Sequence, residues 1–170
     1  MAACNRWFRG LIVSKLLRIG IQLCCVVSAF AVVWPAAAAD RGAPPPSECP
    51  QPRFTGKAPP EFWNLPNPVG ASAEMIAAGG RIYRGKAGAT ACVTCHGDKG
   101  DGKGKLAMHF EPPPRNFACA QLLKEIPDGH LFWIIRNGSP CTAMPPISTI
   151  GSFTDQEIWQ VVAYIRNLAR

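Results

Sequence analysis

Cys92-Val93-Thr94-Cys95-His96 decides the reading of this 170-residue chain. A Cys-x-x-Cys-His run is the attachment signature of a covalently bound haem. Two thiols about one helical turn apart can each add to one vinyl group of the same porphyrin. The adjacent histidine reaches the iron as proximal ligand. A bare Cys-x-x-Cys also serves thioredoxin-like redox pairs and zinc sites. A redox pair has no need of a histidine at the next position, and no βαβ pattern surrounds the run. A cysteine zinc site wants a second pair at similar spacing, and none follows. Cys92, Cys95 and His96 are therefore expected to hold haem. The motif occurs once, so one haem is expected.

Upstream, the chain reads as an export signal. Arg6, Arg9, Lys15 and Arg18 form a basic start, Ile19 to Trp34 is largely apolar, and Ala37-Ala38-Ala39 offers small residues for cleavage before Asp40. Residues 1–39 are assigned to this signal. An uncleaved membrane anchor is the alternative, because the apolar run is near the minimum for spanning. Cys24 and Cys25 lack the small preceding residues of a lipidated cysteine. On either reading, residues 40–170 face an oxidising compartment, the periplasm, and touch a membrane only through an uncleaved segment.

Of 18 basic and 11 acidic residues, four basic and no acidic ones fall in the signal, which leaves 14 against 11, net +3. So mild a charge, without a basic and aromatic groove pattern, excludes a nucleic-acid partner. The 131 residues left after removing 39 from 170 fit one domain with one core. Nine prolines between Pro44 and Pro68 set residues 40–71 apart as an extended arm. Cys49, Phe54, Phe62, Trp63 and Leu65 give that arm the means to wrap and pin onto the domain.

Residues 72–170 read as helices joined by long loops. Ser72 caps a helix over about Ala73 to Lys86. Gly79 and Gly80 inside it make sense where another helix crosses closely. A short helix carries the haem motif. A third runs from about Gly129 to Asn137 and stops at Gly138. Thr154-x-x-Glu157 is a capping box opening a last helix, whose Ile158, Val161, Val162, Ile165 and Leu168 recur at helical spacing.

From Ala73 to Arg170 the chain resembles a class I cytochrome c domain. The residues carrying this are Gly79-Gly80-Arg81-Ile82-Tyr83, Cys92 to Gly97, Pro112 to Phe117, Met144-Pro145-Pro146 and Glu157 to Ile165. The resemblance implies an all-α fold, three to five helices wrapped around one covalent haem c. The first and last helices would cross through Gly79 or Gly80, Tyr83, Trp159 and Tyr164.

The sixth iron ligand is expected to be Met144. It lies on a proline-bounded loop between two helices, which lets its thioether sit against iron with little entropy to lose. The resemblance places the ligand there too. Met75 and Met108 lack such a frame, and His109 or His130 would give a bis-histidine iron instead. Met and His together favour reduced iron and raise the potential. The imidazole of His96 should donate its other N–H to a carbonyl. The resemblance places that carbonyl among Pro112 to Pro114, with Pro113 the central candidate. Arg115 is a candidate for a haem propionate, because guanidinium pairs with carboxylate in a fork.

With Cys4, Cys24 and Cys25 assigned to the signal and Cys92 and Cys95 to haem, Cys49, Cys119 and Cys141 remain. Pairing Cys49 with Cys119 would staple the arm to the domain and leave Cys141 a free thiol. Pairing Cys119 with Cys141 would brace the Met144 loop. The function expected is electron carriage between redox partners, not catalysis. The alternatives are a haem-based catalytic or sensing protein with a labile sixth ligand, and a dedicated electron-accepting subunit of a dehydrogenase. Six basic residues bracket the haem motif (Arg81, Arg84, Lys86, Lys99, Lys103, Lys105) and suit a partner with an acidic docking surface.

Overall fold

The computed structural model describes residues 49–51 and 56–169, all of them within the unit Ala43–Arg170. The export segment expected over residues 1–39 lies outside the described residues. Among the described residues there are six α-helices and no strand: α1 Pro60–Trp63, α2 Ala73–Arg84, α3 Val93–His96, α4 Ala120–Lys124, α5 Asp128–Asn137 and α6 Asp155–Leu168. Five of these fall in residues 72–170, and α1 belongs to the arm. No described helix is long and apolar enough to cross a membrane.

Helix α2 begins where Ser72 Oγ accepts the Met75 N–H at 3.3 Å. It stops two residues earlier than its apolar pattern suggests, because Gly85 closes it by donating to the Arg81 carbonyl. At the head of α6 the capping box is complete. The Glu157 N–H donates to Thr154 Oγ1 at 3.2 Å, and Glu157 Oε2 accepts the Thr154 N–H at 2.8 Å. Glu157 also receives Lys86 Nζ at 2.6 Å. That lysine, with the Thr154 N–H, holds the carboxyl below its ordinary range.

The core forms where α2 crosses α6. Tyr83, Ile158, Val161, Val162 and Ile165 are buried there. Each such aliphatic side chain contributes about 1.5–3 kcal/mol on leaving water. Gly79 is the contact point: a Cβ built on it would fall 1.9 Å from the Gln160 carbonyl oxygen. Tyr83 and Tyr164 meet beside it with ring centroids 5.2 Å apart. Arg166 on α6 reaches back to Asp128 at 2.6 Å and donates to the carbonyls of Leu123 and Ile126, so α4 and α5 are fastened to α6.

Two short helices were not foreseen. Proline density argued against helix in the arm, yet Pro60 opens α1, at a position where its missing N–H costs nothing. Phe62 on α1 then stacks on Phe132 at 6.4 Å, and Phe132 on Trp159 at 4.2 Å. Helix α4 is a single turn held by burial of Leu122 and Leu123, too short to show a period.

Candidate haem site

Helix α3 is one turn, closed by N–H bonds from His96 to the Cys92 carbonyl and from Gly97 to the Val93 carbonyl, each 2.9 Å. The loop after it folds back onto it. The Gly102 and Gly104 N–H groups donate to the carbonyls of His96 and Cys95 at 2.9 and 3.1 Å. From the core side, Tyr83 Oη donates to the Gly97 carbonyl at 2.8 Å. Burial pushes that phenol far above its ordinary pKa and keeps it a neutral donor.

Cys92 and Cys95 are free thiols. Burial, and then the neighbouring Cys95, pushes the Cys92 thiol up to about 11, and burial also raises Cys95. Two neutral thiols one turn apart beside an imidazole suit addition to two vinyl groups.

His96 is 8 % exposed, and its Nδ1 lies 3.2 Å from the Arg115 carbonyl oxygen. A carbonyl only accepts, so Nδ1 carries the proton and Nε2 keeps its lone pair. The expected acceptor was a proline carbonyl among Pro112 to Pro114. The loop turns so that the next carbonyl along faces the ring instead. Phe117 stacks on the imidazole, centroids 4.5 Å apart and planes 19° from parallel, which fixes the ring plane.

These groups border an apolar cleft that opens to solvent, the kind of setting in which cofactors are held. Cys95, His96, Pro113, Arg115 and Met144 all line it among mainly apolar side chains. Cys92 lines the adjoining smaller cavity, which shares His96 and Met144. The donor set, the free thiols and the apolar walls fit a haem.

Met144 is presented by the loop after α5. Gly138, at φ 81°, ends that helix in the left-handed region, and a Cβ there would lie 2.8 Å from the Pro146 nitrogen. The Ser139 N–H donates to the Met144 carbonyl at 3.0 Å, and Thr142 Oγ1 accepts the Met144 N–H at 3.2 Å. The other sixth-ligand candidates are placed differently. Met108 is 85 % exposed, and it borders neither cavity; nor does His109. Met75 Sδ accepts from Gln160 Nε2 at 3.6 Å in the contact of α2 with α6. His130 does line the cleft, but its Nδ1 accepts the Ala58 N–H at 3.1 Å. Burial, then the charge of Arg115, lowers its pKa. A neutral imidazole whose Nδ1 accepts carries its proton on Nε2, and so offers no lone pair to a metal.

Cys49 and Cys119 form a disulfide with Cα atoms 5.6 Å apart. Cys141 does not stand free, as that pairing had implied: it too is disulfide-bonded. It is exposed on the Met144 loop. The basic run divides as well. Lys86 is engaged with Glu157, and Arg84 Nη1 donates to Tyr164 Oη at 3.2 Å, so both brace α2 against α6. Arg81, Lys99, Lys103 and Lys105 lie exposed. Sequence reasoning missed Gln51, a buried arm residue that bonds the loop facing His96.

Fold and site together define a c-type cytochrome domain. Residues 74–165, more than half of the chain, match the family model described as cytochrome c oxidase, cbb3-type, subunit III, and the chain belongs to that family. Membership implies covalently bound haem c and haem-based electron transfer. No curated protein matches the chain. Among solved structures, a chain of the reducing HAO-like protein complex of Kuenenia stuttgartiensis aligns with a TM-score of 0.50 and 25 % identity, over 61 % of this chain and 47 % of that one. The match thus spans about half the length of that chain.

Proposed function

We propose that this protein is a periplasmic, monohaem cytochrome that passes single electrons between redox proteins through iron held by His96 and Met144. The observation that carries the proposal is that His96, with a lone pair at Nε2, and Met144, on a braced loop, border both the cleft lined by Cys95 and the adjoining cavity lined by Cys92. Haem bound there would supply one-electron chemistry, and His96 and Met144 as its two protein ligands would keep substrate from the iron. The residues do the rest. Cys92 and Cys95 hold the porphyrin by thioether bonds. The Arg115 carbonyl orients His96 by accepting its Nδ1 proton. The Arg115 guanidinium, at the cleft wall, is assigned to a propionate. Apolar walls exclude water and limit solvent reorganisation when the charge on iron changes. A dedicated subunit of an oxidoreductase complex is the second reading, favoured by the likeness to a chain of the HAO-like complex.

Acid extraction of denatured protein tests attachment. Haem should stay with the polypeptide in the wild type. Cys92→Ala or Cys95→Ala should leave it held by one thioether or lost. Free haem released from the wild type would overturn the proposal. The intact protein should not bind carbon monoxide; ready binding would favour a sensing or catalytic role.

Docking should depend on charge. Lys99, Lys103 and Lys105 lie on the loop that returns onto the haem motif, where they can steer an acidic partner. The rate of electron exchange with the native partner should fall steeply as salt rises, and Lys103→Glu should slow it at low salt. A rate flat across ionic strength would mean an apolar docking surface.

A further inference from the structure

Gln51 is a neutral amide only 2 % exposed, and it lies in the arm, 45 positions before His96. Both ends of its side chain are used. Nε2 donates to the Pro114 carbonyl at 3.2 Å, and Oε1 accepts the Asn116 N–H at 2.8 Å. Its own carbonyl accepts from Arg115 Nη1 at 3.2 Å. Three hydrogen bonds therefore fall on three consecutive residues. The middle one supplies the carbonyl that faces His96 Nδ1. That stretch follows Pro112-Pro113-Pro114 and belongs to no helix, so it has no ladder of its own to fix a carbonyl direction. Gln51 provides from outside what the loop lacks. The grip has a covalent end as well, since Cys49, two residues before Gln51, is bonded to Cys119, three residues after Asn116.

We propose that Gln51 is a positioning residue that sets the reduction potential of the haem, by aiming the Arg115 carbonyl at His96. The inference rests on the reading of His96 as an iron ligand. The physical link is the hydrogen bond on the far side of the imidazole. A firm Nδ1–H···O bond makes the ring a stronger electron donor, as carbonyl and carboxylate partners do for other metal-bound histidines. A stronger donor favours oxidised iron. Removing Gln51 lets the 114–116 stretch swing, weakens that bond and favours reduced iron.

The test uses the full holoprotein carrying Gln51→Ala, and Gln51→Met as an uncharged variant of similar size. Methionine keeps the packing of the side chain and loses its hydrogen bonds to Pro114 and Asn116. Midpoint potential, melting temperature and the proton resonance of His96 Nδ1–H in the reduced state are compared with wild type. The expected result is an unchanged low-spin spectrum, an upward shift in potential and faster solvent exchange of the Nδ1 proton, in both variants. A lowered melting temperature with potential and proton signal both unmoved would overturn the proposal and leave Gln51 as an anchor for the arm. A wild-type spectrum without histidine ligation would overturn the ligand assignment itself, a different and separable failure. If the alanine variant does not mature, an unmoved potential in Gln51→Met overturns the proposal equally.

Discussion

Met144→Ala should keep its haem and lose its potential. On the proposed reading the thioether bonds are made by Cys92, which caps α3, and Cys95 within it, far in sequence from the 138–146 loop, so covalent attachment should survive. What should disappear is the proposed sulfur ligand. The oxidised protein should lose the weak red band of Met–iron ligation and become able to bind carbon monoxide. Its midpoint should fall by on the order of 0.1 V, a modest part of the roughly 0.8 V that axial ligands span. Stability should fall by only about 2 kcal/mol, the low end for Met→Ala, because Met144 is half-buried. His130 is poorly placed to take over, since its Nδ1 accepts the Ala58 N–H and its Nε2 therefore carries a proton. An unchanged spectrum and potential would remove Met144 from the iron and bring His130 back into consideration.

Gly79→Ala should be strongly destabilising. By intrinsic propensity alone, alanine in place of glycine inside α2 would gain about 1 kcal/mol. Here the added Cβ would stand 1.9 Å from the Gln160 carbonyl oxygen and 3.0 Å from Tyr164 Cβ. Neither neighbour is a flexible tip, so α2 and α6 must separate and the packing of Tyr83 on Tyr164 opens with them. Overpacking of this kind costs about 3 kcal/mol or more, which outweighs the propensity gain. The melting temperature of the holoprotein should drop by about 10 °C. Gly80→Ala is the internal comparison. Its Cβ would meet the Tyr164 ring edge at 3.0 Å and Arg84 Nη2 at 3.1 Å, groups that can move, so its effect should be clearly smaller. Equal melting temperatures for the two variants would mean that the helices yield more easily than this contact implies.

What was legible in the chain follows from how local its cause is. The haem motif, the capping box at Thr154 and Glu157, the stop at Gly138 and the crossing at Gly79 are each written within a few residues, and each lies in the structure where its chemistry puts it. Membership of the cytochrome c family agrees with the resemblance read from those same residues. Other features have no local cause. The turn of α1 exists because Phe62 finds Phe132 some 70 positions away. Which of four successive carbonyls faces His96 depends on how a loop twists, and residue type does not encode that. A single glutamine in a proline-rich arm has no periodicity to betray it; its partners are 63 to 65 residues distant. Arg84 and Lys86 looked like part of a docking ring because charge can be counted along a chain. Whether a charge is already engaged cannot.

The crossing of α2 by α6 also orders events in time. The core around Tyr83 is closed from one side by Val161, Val162 and Ile165, about 80 positions later. A contact so distant in sequence is among the last to form as a chain emerges and collapses. Until α6 docks, Gly97 lacks the buried phenol that pins it, and the turn bearing Cys92 and Cys95 has no wall behind it. The haem motif therefore gains its support only once the C-terminal helix is in place.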